Sequence, residues 1–207
     1  GYEMAELPAF YGNDHCDVEE VIADGGKAIK KLAAAYEIEI SALSNHPEGQ
    51  LILGPHTKDT DSLFEGTAEE KIKFGMERMK KTAQAANALE VPVVCGFIGC
   101  ERYSRWFPWP YPQGWEEMGQ DFVDRWGEVL DEFQKQGVKF AHEPHPNEFV
   151  YNVETAHQSI ELLDGHEAWG FNFDPANIVL QGIDPVIFIQ ELGDRIFHVH
   201  AKDGEIV

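Results

Sequence analysis

Six short apolar runs, each followed by a segment of helical period, set the fold class of this chain. The runs are YEMAEL (2–7), EIEISAL (37–43), VPVVCGFIG (91–99), VKFAHEP (138–144), WGFNFD (169–174) and RIFHVHA (195–201). Between them, residues 18–35 place Val18, Val21, Ile22, Ile29 and Leu32 on one helical face, and residues 68–89 do so with Ile72, Met76, Met79, Ala83 and Ala86. Residues 117–136 use Phe122, Trp126, Val129 and Phe133, and residues 153–164 use Val153, Ala156, Ile160 and Leu163. A short helix is expected over 184–193, with Asp184-Pro185 at its start. Strict alternation of strand and helix implies parallel strands joined by crossovers. The pattern fits an α/β fold, an eight-stranded (β/α)8 TIM barrel in one domain over 1–207. It would lack the first βα unit and the last strand region. The alternative, a doubly wound sheet, requires a Gly-rich phosphate loop after its first strand, and PAFYGNDHCD (8–17) has no GxGxxG spacing. The loops at 44–66 and 100–116 are long for connections in such folds.

Acidic residues outnumber basic ones 37 to 16, for a formal charge of -21. A field of that sign repels phosphate backbones and argues against a nucleic-acid partner. No apolar run approaches the roughly 20 residues needed to span a bilayer. Cys16, Cys95 and Cys100 form an odd set without CxxC spacing. That favours a reducing compartment such as the cytoplasm over a disulfide framework or a thiolate zinc site.

Three successive apolar strands end in groups that bind metals. Period-2 alternation sends Phe171 and Phe173 to the helix layer and leaves Asn172 and Asp174 facing inward. By the same rule Phe197 and Val199 point outward, His198 and His200 inward, and Glu143 shares the face of Ala141. Glu143, Asp174 and His200 should therefore converge at the C-terminal rim, where ligands collect in parallel α/β folds. Two carboxylates and an imidazole suit a hard-to-borderline divalent cation, which would offset the desolvation of those charges. A set of buried polar groups satisfied by one another is the alternative. His198, two residues below His200, either supports it or touches substrate.

HEPHP (142–146), FNFDPANIVLQGIDP (171–185) and DRIFHVHAKD (194–203) resemble the sugar phosphate isomerase/epimerase group of the xylose isomerase-like barrel superfamily, which also holds the endonuclease IV-type enzymes. GYEMAEL (1–7) is similar to that group's second strand, and ISALSNHPEG (40–49) to the end of its third. The resemblance implies a Glu-Asp-His-Glu metal site on the fifth to eighth strands, whose first three ligands match Glu143, Asp174 and His200. The fourth would lie beyond Val207. One divalent ion is implied, Mn2+, Mg2+ or Co2+ ahead of Zn2+. Many relatives carry His three residues after the Asp, where this chain has Asn177, which can hydrogen-bond a hydroxyl but is a poor ligand. That departure argues against a three-zinc phosphodiesterase.

The activity implied is isomerisation or epimerisation of a sugar, sugar phosphate or related polyol ketone. Glu143 would remove the proton beside the carbonyl to give an enediolate, and a second acid would return it. His46, Glu101, His145, Asn177, His198 and Trp109 are the candidate substrate contacts. His46 and His145 could equally be loop histidines. Trp109, in CERYSRWFPWPYPQGW (100–115), could stack on a sugar face or plug the barrel mouth. Lys202 and Asp203 could form an ion pair at the rim. The alternatives are a lyase or dehydratase on the same scaffold, then an endonuclease IV-like phosphodiesterase or a non-catalytic sugar-binding barrel. A small-molecule partner is expected, without nucleic acid or membrane, and homo-oligomerisation by analogy with relatives.

Overall fold

The computed structural model describes residues 2–101 and 113–205. Six strands form one parallel sheet in sequence order: β1 (Met4–Pro8), β2 (Glu39–Ser44), β3 (Val93–Gly96), β4 (Lys139–His142), β5 (Trp169–Phe173) and β6 (Ile196–Val199). The sheet curls so far that Glu6 of β1 lies 2.9 Å from the rings of both His198 on β6 and His200 just after it. Among the described residues, eight α-helices cover the outside: α1 (Val18–Asp24), α2 (Lys27–Ala35), α3 (His46–Leu53), α4 (Ala68–Leu89), α5 (Gly114–Gln136), α6 (Val153–Leu162), α7 (Pro175–Leu180) and α8 (Pro185–Leu192). This is the curled parallel sheet of a TIM barrel. No described helix is long and apolar enough to cross a membrane.

Three segments differ from the sequence pattern. The single helix expected over 18–35 is two, because Gly25 and Gly26 both adopt left-handed backbone (φ 68° and 72°) and end the first helix. A Cβ on Gly26 would also crowd the carbonyl of Ala88. The long loop after β2 contains α3, started by Asn45, whose side chain accepts from the Glu48 N–H. Similarly, DPANIVL forms α7, with Asp174 as its cap and Pro175 in its first turn.

Helix α4 matches its periodic span and carries a capping box from Thr67 and Glu70. Its apolar stripe enters a core shared with Phe122, Trp126, Phe133, Phe140, Trp169 and Phe171. His142 belongs to this outer core as well. It is fully buried, stacks on Trp169 and donates from Nε2 to the Val150 carbonyl, and burial pulls its pKa down to about 4. It is therefore a neutral core histidine.

The inner wall of the sheet is built from small residues. Ala42, Val93, Cys95 and Ala141 form a second, inner cluster. Phe197 packs against that cluster, although alternation placed it outward. The β5–β6 register shifts between Phe171 and Asn172, and the ring fills the space over Gly170, where a Cβ would overlap it. Above this plug the interior turns polar.

Close backbone approach also fixes α3. A Cβ at Gly49 would overlap the carbonyl oxygen of Phe97, whereas one at Gly127 in α5 meets nothing within 4 Å. Gly49→Ala is expected to destabilise the protein by about 1–3 kcal/mol. Gly127→Ala should instead stabilise it by roughly 0.5–1 kcal/mol. Urea melts with unchanged m-values check both, and equal midpoints for the two variants would contradict this account of α3 packing.

Candidate metal centre

The C-terminal ends of β4, β5 and β6 bring Glu143, Asp174 and His200 together. One ligand atom from each lies within 4.8 Å of the other two, and Glu143 and Asp174 are 3% and 1% exposed. Glu143 is the hub. Its Oε2 accepts from Nε2 of His46 (3.1 Å), from the Asn172 amide (3.0 Å) and from Nδ1 of His200 (2.9 Å). Its Oε1 accepts from the Asn177 amide at 2.7 Å, and the Lys202 ammonium stands 3.6 Å away. Lys202 makes a closer ion pair with Asp174. The lysine therefore pairs with the two carboxylates, and the Lys202–Asp203 ion pair suggested by the HAKD sequence does not form.

These contacts decide the charge states. Burial opposes ionisation of Glu143, but hydrogen bonds from His200 and His46 outweigh it and hold the carboxyl well below the usual range. His200 is bonded to Glu143 on one side and Glu6 on the other, and its pKa is pushed up to about 9. Burial works against the charge of Lys202, yet the bond to Asp174 and the field of Glu143 raise its pKa. An imidazolium and an ammonium thus stand beside the carboxylates at this end of the sheet.

The residues present fit a divalent ion. Hard carboxylate oxygens and one imidazole nitrogen converge, and a lysine nitrogen already stands in for positive charge between the two acids. Asn172 Oδ1 is buried there without a hydrogen-bond partner among the described residues.

The other candidates divide. His46, in the first turn of α3, reaches Glu143 and packs edge-on against Phe97. Asn177 also binds Glu143. His145 lies over Phe97 at the rim, with its Nδ1 on the Pro146 carbonyl. His198 points to Glu6, beneath the centre. Glu101 accepts from the backbone N–H of His56, whose ring Nδ1 lies 3.3 Å from the same carboxylate. Trp109 lies outside the described residues.

Three neighbours were not singled out from sequence, Glu6, Cys95 and Glu148, and Asn172 was placed inward without a role. A carboxylate in the middle of the apolar strand EMAEL was the available signal for Glu6. Glu148 accepts from the backbone N–H groups of Ile98 and Gly99, at 2.9 and 2.7 Å, and so holds the loop after β3.

The profile of the xylose isomerase-like TIM barrel matches residues 1–207. The chain belongs to that family. It is 33% identical over 93 residues to the uncharacterized protein YfiH of Bacillus subtilis (strain 168), covering 44% of this chain and 28% of that relative. The fold is similar to that of 3-keto-D-glucoside 4-epimerase YcjR from E. coli, with TM-score 0.72 and 12% identity over 100% of this chain and 84% of that one. It is also similar to the IOLI protein solved with a zinc atom, with TM-score 0.63 and 20% identity over 100% of this chain and 65% of that one. The chain thus spans under a third of YfiH and just under two thirds of IOLI.

Burial dominates Glu148 and pushes its pKa up to about 8 despite its two backbone bonds. A group raised in the folded state stabilises fully below its unfolded pKa, near 4.5, and loses that contribution as pH rises through about 8. Glu148→Gln keeps an acceptor for Ile98 and Gly99 but does not titrate. It should flatten the fall in stability between pH 5 and 8 relative to the parent. Urea melts at several pH values measure this, and parallel curves for the two proteins would reject the assignment.

Proposed function

We propose that the chain carries the metal-binding and proton-abstracting part of a sugar isomerase or epimerase acting on a sugar, sugar phosphate or related polyol ketone. The observation that carries this reading is the state of Glu143. It is buried, ionised, fixed by five polar groups, and placed where the family fold collects substrate. A rigidly held carboxylate is positioned to take a proton from a carbon next to a carbonyl.

Glu143, Asp174 and His200 would hold the divalent ion. Bound there, such an ion supplies positive charge to oxygens that become negative when an enediolate forms. The chain's own residues do the rest. Asn172 and Asn177 each donate to one of the two Glu143 oxygens, which would fix the orientation of the carboxylate. His46 and Lys202, each beside Glu143, are the described groups that can carry a proton back to the neighbouring carbon or opposite face. His145 at the rim would meet a hydroxyl or a phosphate of the substrate. The formal charge of -21 and Asn177 in place of a third imidazole weigh against phosphodiester hydrolysis on nucleic acid. The epimerase named by YcjR and the zinc held by IOLI agree with the reading.

The test is a panel of ketoses and their phosphates, given with Mn2+ in deuterated water to the complete protein and followed by NMR and mass spectrometry. The expected result is solvent deuterium at the carbon beside the carbonyl and a product of unchanged skeleton. Glu143→Gln should lower that exchange by roughly 10²- to 10⁴-fold. A product lacking the mass of water would assign the site to a dehydratase. Saturable sugar binding with no exchange would make it a binding module.

A further inference from the structure

Beneath the Glu143 centre lies a second convergence of ligand atoms from three strands. Glu6 on β1, Cys95 on β3, His198 on β6 and His200 just after β6 each offer one atom, and all four lie within 4.8 Å of one another. Glu6 Oε2 is 2.9 Å from Nε2 of His198 and of His200, and 3.4 Å from the Cys95 sulfur. The sulfur is 3.9 Å from His200 Nε2. The edges of a tetrahedron around zinc, with metal–nitrogen and metal–oxygen bonds of about 2.0 Å and a metal–sulfur bond of about 2.3 Å, are only slightly different from these separations. The pocket is small-walled, because Ala42 and Ala141 share the inner cluster with Cys95. No lysine or arginine pairs with Glu6 among the described residues; its partners are the two histidines, Cys95 and Ser44.

We infer that Glu6, Cys95, His198 and His200 form a second cation site, selective for a thiophilic divalent ion such as Zn2+ or Cd2+, that shares His200 with the Glu143 centre. A donor set of one thiolate, two imidazoles and one carboxylate is softer than Glu143–Asp174–His200. The two centres therefore differ in the ions they prefer. Binding at the lower one releases the Cys95 thiol proton and the Nε2 proton of His200 to solvent as the sulfur–metal and nitrogen–metal bonds form. The two also exclude each other. A neutral imidazole has one lone pair, and His200 turns Nδ1 to Glu143 and Nε2 to Glu6. An ion on Nε2 leaves the proton on Nδ1, facing Glu143, and removes a ligand from the upper centre. This competition rests on the metal reading of the upper centre; the lower site stands without it.

The complete protein, stripped of metal and titrated with Co2+, reads the lower site directly through sulfur-to-cobalt charge-transfer absorption in the near ultraviolet. The band should appear in the parent and in Asp174→Asn, and be absent from Cys95→Ser. Zn2+ affinity, measured by competition with a chelating dye, should fall in Cys95→Ser by more than the roughly 10- to 100-fold seen when an outer-shell group is lost. One equivalent of Zn2+ should displace bound Mn2+ from the parent, and from Cys95→Ser only at the higher Zn2+ concentrations at which Zn2+ enters the upper centre itself. The parent titration needs no variant to fold, and a parent without a thiolate band with either Co2+ or Cd2+ overturns the proposal. A thiolate band in a parent that fails to bind Mn2+ would uphold the lower site and count against the upper one.

Discussion

A carboxylate removed from water must be given positive charge or hydrogen bonds, or it stays protonated, and Glu143 imposes that demand on the whole barrel interior. One strand, two helices and one turn answer it. β5 supplies Asn172, the start of α7 supplies Asn177, the turn after β6 supplies His200 and Lys202, and the first turn of α3 supplies His46. Each comes from the C-terminal end of a strand or the element just beyond it, so parallel strand order is what brings them together. The outer aromatic core and the capped helices hold those strand ends at fixed spacing.

The arrangement is layered. Phe197 and the small residues of the inner wall close the bottom of the shaft, the Glu6 cluster lies above them, and the Glu143 centre lies at the top. His200 links the two polar layers through opposite edges of one ring. Such a ring is well placed by its carboxylate partners whichever ion is present, as outer-shell partners of metal-bound histidines usually are.

Much of this was legible in the sequence. The alternation of strand and helix gave the barrel, and Glu143, Asp174 and His200 could be sorted inward because β4, β5 and the end of β6 keep period 2. The misses have local causes. Period 2 failed at Phe197 because the register shifts there, a tertiary event with no signature in RIFHVHA itself. Helix periodicity ran through Gly25 and Gly26 because the apolar spacing resumes after the break. Glu6 and Cys95 were passed over because each is a lone polar residue within a strand, and only the curl of the sheet makes them neighbours. His142, beside Glu143 in sequence, lies on the other face of the sheet, as alternation along β4 requires.

The seating of α3 has one more consequence. Asn45, which starts that helix, bonds Thr82 of α4, and Glu48 in its first turn accepts from Arg78 of the same long helix. Gly49 lies flat against the Phe97 backbone. His46 is consequently anchored to the frame of the barrel, and its 3.1 Å contact with Glu143 spans only the intervening strand β3. Any change in the spacing of β2 and β4 would therefore reach the Glu143 carboxylate directly.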